Sequence, residues 1–254
     1  MAKRKNKKPA VKPLLFLILL IGICIASWWL YNREMPHFVR YPEFGIDIPS
    51  NFAIHGIDVS RYQHYIDWDE VKAMQIDNVR INFAFIKATE GLEKIDRYFI
   101  RNWQQARNAN LVCGAYHFFL ATKNGKAQAE NFIHVVDLEK GDLPPVVDVE
   151  QTYGVSPDKL RKNLMEFLET VELYYGTKPI IYTNVDFYNH YLQGEFDEYP
   201  LWVAHYLQKD RPRITRPWLF WQHSEKGRVN GILTKVDFNV FNGDSTDFRE
   251  MLID

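Results

Sequence analysis

The chain has 254 residues, of which 46% are hydrophobic, 25% charged and 15% aromatic, with a net charge of -1. These proportions exclude wholesale disorder and a collagen-like repeat, and the length allows one large domain or two small ones. The near-neutral total hides a split, because residues 1–13 carry six Lys/Arg and no acid, leaving -7 for the other 241 residues.

The basic start, 1–13, runs into an uncharged apolar stretch, 14–30 (LLFLILLIGICIASWWL). As a helix it would rise about 26 Å, enough for a thin bilayer core. A cleavable signal peptide competes with this reading. Its small-x-small candidates, Gly22-Ile23-Cys24 and Cys24-Ile25-Ala26, lie inside the apolar run and are followed by Trp28 and Trp29, a poor fit to a processing site. Residues 14–31 are therefore expected to form a transmembrane anchor, with Trp28, Trp29 and Tyr31 at an interface. The positive-inside rule puts 1–13 in the cytoplasm and the rest outside it, in a periplasm or at the cell exterior. A basic flank on an apolar run needs no nucleic acid, and none is expected.

Residues 32–53 contain three prolines and no hydrophobic period, and read as a linker. From 54 to the end, apolar runs alternate with amphipathic segments. The runs are 55–60, 79–87, 111–119, 145–150, 178–183, 201–206, 218–222 and 235–241. Asp67 with Glu70 marks one helix start, and Ser156-Pro157-Asp158 marks another. The second helix places Leu160, Leu164, Phe167, Leu168, Val171, Tyr174 and Tyr175 on one face and closes at Gly176. Strand starts are spaced 24, 32, 34, 33, 23, 17 and 17 residues apart. A βα unit needs about 30 residues, so the first five intervals can hold a helix and the last two cannot. This predicts an α/β fold, an irregular TIM-like barrel of five βα units and three closing strands, behind one N-terminal transmembrane helix. A doubly wound open sheet is the alternative, but no Gly-rich phosphate turn follows the first strand.

Cys24 and Cys113 are the only cysteines and lie too far apart in character to pair; no zinc spacing and no cofactor motif is present.

Chemistry in a parallel barrel collects at the carboxyl ends of the strands. The polar residues there are Asp58, Lys87, Glu90, Tyr116, His117, Asp148, Glu150, Tyr182, His205, Tyr206, Gln222, His223 and Asp237. Asp148-Val149-Glu150 is the sharpest item, since residues i and i+2 of a strand share a face about 6.5–7 Å apart. Two adjacent carboxyls cannot both ionise freely, so one can serve as a general acid. Asp58 and Asp237 would face the same mouth. A D-x-E sequence is also found at solvated strand edges and helix caps, and acid clusters also hold Mg²⁺ or Ca²⁺. His117, His205 and His223 are dispersed among aromatics and read as hydrogen-bonded wall residues. Tyr62, Tyr116, Tyr182, Trp202 and Trp221 fit either a core or a groove on which sugar rings stack.

The ordered segments HGIDVSRYQHYIDWDEVK, FAFIKATEG, Asp96-x-x-Phe99-x-x-Asn102-x-x-x-Ala106 running to GAYHFF, PPVVDVE, PIIYTN, PLWVAHY, WQHSEKG and VDFNVFNGD resemble family 25 glycoside hydrolases, the muramidase type of lysozyme. The likeness covers about 54–244. It implies a barrel of five βα units with three closing strands, no cofactor, and peptidoglycan glycan strands as substrate for a monomeric catalytic domain. It implies Glu150 as the general acid, Asp148 as the group orienting the substrate's 2-acetamido, and Asp58 as a third catalytic acid. Asp237, Tyr62, Lys87, Tyr116, Tyr182, Trp202, Tyr206 and Gln222 would bind substrate. A chitinase-like glycosidase is a weaker reading, because the upstream strand positions are Leu143 and Val146 rather than acids. A non-catalytic peptidoglycan-binding module is opposed by the presence of all four acids.

Overall fold

The computed structural model describes residues 11–33, 38–208 and 210–254, and the side chains of these except 11–14 and 31–33. Most of the basic tail, 1–10, and residues 34–37 of the expected linker therefore lie outside the described residues. Helix α1 spans Val11–Arg33. Its apolar side chains are exposed, Leu15 by 59% and Trp28 by 66%. Among the described residues no helix is long and apolar enough to cross a membrane. Helix α1 occupies the place of the span expected over 14–31 and carries an exposed apolar surface.

The stretch expected as a linker holds two short strands, β1 (Phe38–Tyr41) and β2 (Ile46–Pro49), paired antiparallel. Each has four residues, too few to show a period, and Gly45 in the turn sits at φ 69°. Tyr41, Phe44, Ile46 and Ile48 are buried.

The remaining strands are β3 (His55–Val59), β4 (Gln75–Ile76), β5 (Val79–Glu90), β6 (Lys94–Ile95), β7 (Val112–Phe118), β8 (Val146–Asp148), β9 (Ile180–Asn184), β10 (Leu201–Ala204), β11 (Phe220–Gly227) and β12 (Val236–Phe241). Eight of them close a barrel in the order β3-β5-β7-β8-β9-β10-β11-β12 and back to β3, while β4 and β6 are short additions to β5. All eight coincide with the predicted runs. Six neighbouring pairs are parallel, but β12 runs antiparallel to both β11 and β3. The uniformly parallel expectation is corrected there: β11 and β12 form a hairpin because the eight intervening residues, 228–235, leave no room for a crossover.

Helices α2 (Trp68–Ala73), α3 (Phe99–Asn108), α4 (Gly125–Val135), α5 (Pro157–Tyr175) and the short α6 (Val185–Phe187), continued by a π turn over Tyr188–Leu192, follow the first five strands. Asp67 caps α2 by accepting from the Glu70 N–H at 3.2 Å. Ser156 caps α5, with Pro157 in its first turn and Gly176 left-handed at its end. Leu160, Leu164, Phe167, Leu168 and Val171 are buried as predicted, whereas Tyr174 is exposed. The stripe continues through half-buried Tyr175, whose Oη donates to the Val136 carbonyl at 2.7 Å, and Tyr174 falls to one side of it.

Among the described residues no helix covers the outside of β11 and β12. The β1–β2 hairpin takes that place, with Phe44 against Phe238 at 5.4 Å and Phe38 against Trp221 at 6.0 Å between ring centroids. The Arg228 N–H also bonds the Phe44 carbonyl at 2.9 Å. Inside the barrel the floor is aromatic: Phe83, Phe85, Phe220 and Phe241 pack together, and Phe248 of α7 (Ser245–Glu250) plugs the bottom. Above them Phe85 stacks on Trp202 at 4.3 Å. This dry floor leaves only the upper mouth open for polar chemistry.

Candidate active site

At that mouth a cavity of about 270 Å³ is lined by all eleven residues expected to act or bind: Asp58, Tyr62, Lys87, Tyr116, Asp148, Glu150, Tyr182, Trp202, Tyr206, Gln222 and Asp237. Ser60, Phe118 and Glu225 join them. Asp148 is the last residue of β8 and Glu150 lies two further on, so the period of the strand carries both into one space. Asp237 arrives differently. It is the second residue of β12, and only because β12 is reversed does its start meet the ends of the parallel strands, where it pairs in register with Asp58.

Asp58 is the sink of a directed hydrogen-bond network. Its Oδ2 accepts from Gln222 Nε2 at 2.8 Å and from Asn239 Nδ2 at 2.7 Å. Tyr182 Oη donates to Gln222 Oε1 at 2.8 Å, and Tyr206 Oη donates to the same oxygen. Trp202 Nε1 donates to Asn239 Oδ1 at 2.8 Å. Each amide is fixed in orientation by the ring behind it, so both present N–H groups to the carboxylate. Asn239 was missing from the sequence reading. The alternation of VDFNVF puts it on the face of Asp237, and that signal was available.

The two carboxyl pairs are electrostatically strained. Burial pushes Asp58 up to about 6, opposed by the donors from Asn239 and Gln222. Burial, the Asp58 charge and the Asp58 contact push Asp237 to about 9. Asp237 therefore keeps its proton at neutral pH and donates it to Asp58. Burial raises Asp148 well above the carboxylate range, and the neighbouring Glu150 charge raises it further. Glu150 is also raised by burial, with the Asp148 contact and the Lys87 charge acting against it. Between the two, their hydrogen bond raises Asp148 and lowers Glu150. Asp148 Oδ1 is buried with no hydrogen-bond partner among the described residues.

The proton on Asp237 has a thermodynamic consequence. The unfolded chain releases it near 3.8 and the native protein near 9. Between these values the unfolded state binds fewer protons, so stability falls as pH rises through the window. Thermal melts from pH 4 to 9 should show this decline, and Asp237→Asn, which keeps a donor toward Asp58, should flatten it. An unchanged pH slope in the variant would refute the assignment.

Around the acids the wall is aromatic. Tyr182 and Trp202 lie 4.3 Å apart, and Lys87 Nζ sits 4.3 Å above the Phe118 ring. Lys87 is held by Glu90 at 2.8 Å, and Lys94 binds the other Glu90 oxygen at 2.7 Å. Burial works against the Glu90 charge, but the two ammonium groups prevail and hold it at about 2. Tyr62 is exposed on the rim. The turn bearing it is pinned by Asp96, whose oxygens accept from the N–H groups of Arg61 at 2.8 Å and Tyr98 at 3.0 Å.

The histidines lie elsewhere. His117 is on the outer side of β7 against Phe132 and Phe167, hydrogen-bonded to Thr89 and Gln128. His205 Nδ1 accepts from the Arg213 N–H at 3.0 Å. His223 departs from the expected bonded wall residue: neither ring nitrogen has a partner among the described residues. Trp221 is buried on the outer face against Phe52 and Trp218, and so belongs to the core rather than the groove. Among the described residues no group of three or more His, Cys, Asp or Glu is arranged to hold a metal ion.

Comparison with known proteins agrees with this geometry. The profile of the glycosyl hydrolases family 25 matches residues 57–232. The chain is 49% identical over 210 residues to the uncharacterized protein YegX of Escherichia coli K12, covering 82% of this chain and 77% of that one. It is 34% identical over 206 residues to Lysozyme M1 of Streptomyces globisporus, covering 75% and 68%. The solved structure of a family 25 glycosyl hydrolase from Bacillus anthracis superposes with a TM-score of 0.71 at 32% identity, covering 84% of this chain and 96% of the other.

Proposed function

The chain belongs to glycosyl hydrolase family 25, and on that premise we propose that it is a muramidase that cleaves the β-1,4 bond between N-acetylmuramic acid and N-acetylglucosamine in peptidoglycan. The observation that carries this reading is the buried Asp148–Glu150 pair, both carboxyls raised by burial, inside an aromatic-walled pocket. Glu150 is the more exposed of the two and, carrying the pair's proton when substrate is bound, delivers it to the leaving glycosidic oxygen as the bond to the anomeric carbon breaks. The substrate's own acetamido oxygen attacks the anomeric carbon. Asp148, whose Oδ1 is unpartnered, accepts the hydrogen bond from the acetamido N–H and steadies the positive charge of the cyclic intermediate. Water then enters from the face the leaving group vacated, giving up its proton to Glu150, and the configuration is retained. Such substrate assistance lies outside the usual rule linking carboxylate separation to stereochemistry. Asp58, ionised within its donors, and Asp237 bind sugar hydroxyls and oppose the developing positive charge.

All four acids and the aromatic wall come from one chain, so the catalytic domain works as a monomer. The products identify the bond: digestion of purified peptidoglycan followed by reduction should label new muramic acid ends, whereas new glucosamine ends would overturn the muramidase reading.

We also propose that α1 associates with a membrane, because apolar side chains such as Leu15, Ile18 and Trp28 are exposed on it. With α1 at the outer face of that membrane, the barrel lies outside the cytoplasm, where its substrate is. Protease added to intact cells, or to cells with only the outer barrier opened, should digest the barrel. Protection until the cytoplasmic membrane is broken would overturn this topology.

A further inference from the structure

A second cavity, of about 440 Å³, lies between the β1–β2 hairpin and the outer side of β11. Chain neighbours divide between it and the catalytic pocket. Gln222 and Glu225 line the catalytic pocket while His223, Ser224 and Lys226 line the second cavity, and Tyr206 and Leu207 divide in the same way. One strand and one loop are all that separates the two spaces.

The second cavity contains polar atoms that the protein leaves unsatisfied. His223 is only 5% exposed, and both its ring nitrogens lack partners among the described residues. Gln208 donates to the Tyr206 carbonyl at 3.1 Å, but its own Oε1 is buried and unpartnered. Burial lowers His223 to about 3, so its ring is neutral and offers one N–H donor and one acceptor nitrogen. Buried polar atoms without partners are costly unless something else satisfies them. The complement of one donor and two acceptors is a ligand with amide N–H and C=O groups. The rim adds two cations. Arg40 is held loosely by Asp47 at 3.5 Å, and Lys226 makes no ion pair among the described residues. Exposed guanidinium and ammonium groups suit carboxylates.

We infer that this cavity is a subsite for the peptide carried by the lactyl group of N-acetylmuramic acid, a chain of amides bearing carboxylates. The inference rests on the muramidase reading for why such a peptide would be near. A glycan held in the catalytic pocket would send the lactyl peptide over β11, with its amides on His223 and Gln208 and its carboxylates on Lys226 and Arg40. The hairpin would thus be part of substrate recognition as well as of the fold.

Glycan strands bearing stem peptides, and the same strands stripped by an amidase, separate the two proposals. The wild-type protein should cleave the peptide-bearing strands with a kcat/KM about three- to tenfold higher, mostly through KM. Lys226→Ala and Arg40→Ala, both at exposed positions, should remove that preference while leaving cleavage of stripped strands unchanged. His223→Phe, isolated among Phe38, Trp221 and Phe238, should do the same without emptying the site. Equal cleavage of both substrates by the wild type, or a preference untouched in all three variants, would overturn the subsite and leave the muramidase reading standing. If neither substrate is cut, the muramidase reading is what fails. Calorimetric titration with muramyl dipeptide against N-acetylmuramic acid then decides the subsite: tighter binding of the dipeptide, lost in Lys226→Ala, supports it, and equal binding overturns it.

Discussion

Replacing Glu150 by glutamine is expected to cut hydrolysis of purified peptidoglycan by on the order of 10²–10⁴-fold, with the fold and glycan binding intact. Glutamine preserves the shape of the side chain and both of its polar atoms, but it holds no transferable proton. The pocket is not expected to collapse, because Glu150 is half-buried and its partner Asp148 is held independently at the end of β8. The loss should fall on kcat. A substrate with an aryl leaving group, which departs without protonation, should recover much of the rate in the variant. Undiminished activity on natural glycan would remove Glu150 from the role of acid. A loss with no aryl rescue would reassign it from proton donor to structural support.

Gly125→Ala is expected to be the most destabilising single methyl in the barrel's outer layer. Gly125 opens α4, and a Cβ there would lie 1.7 Å from the Asn163 carbonyl oxygen of α5. That oxygen is main chain in mid-helix, so no rotamer change relieves the clash, and the two helices must separate. The seam between them also carries the Asn163 side chain, which donates to the Ala121 carbonyl at 3.0 Å, and Asn124, which caps α4 and reaches Glu166. Overpacking of a tight seam costs about 1–3 kcal/mol and sometimes more. At the upper end the melting temperature should drop by about 6–12 °C in a chain of this size. Differential scanning calorimetry of the variant would measure it, and a change under 2 °C would mean the helices can part freely.

How much of this was legible in the sequence depended on which physical signal carried it. Strand positions could be read because a buried strand writes a run of apolar residues bounded by polar ones. The direction of β12 could not, since alternation in VDFNVF is the same read either way, and only the short 222–236 interval hinted at a hairpin. Asp237 was placed at the right mouth for the wrong reason, as the end of a parallel strand rather than the start of a reversed one. The β1–β2 hairpin was hidden because four-residue strands flanked by prolines carry no period. Its burial depends on β11 and β12, almost two hundred residues away. Within the site, the acids and aromatics were visible as residue types at strand ends. Asn239 was legible in principle from the alternation of VDFNVF, but the unpartnered state of His223 was not, because it depends on what lies across the fold.

The position of the hairpin at the front of the chain also bears on how the protein is made. β1 and β2 leave the ribosome before any barrel strand, yet the surface they cover is built from β11 and β12, and β12 must arrive before β3 gains its second neighbour. Closure is thus a contact between the two ends of the chain, the kind of long-range pairing that slows folding and leaves edges unpaired meanwhile. Asp58 is translated early, but its partners Gln222, Asn239 and Asp237 come last. A nascent chain would therefore carry no working acid cluster until synthesis is nearly complete. The enzyme would in this way stay silent until β11 and β12 had been made.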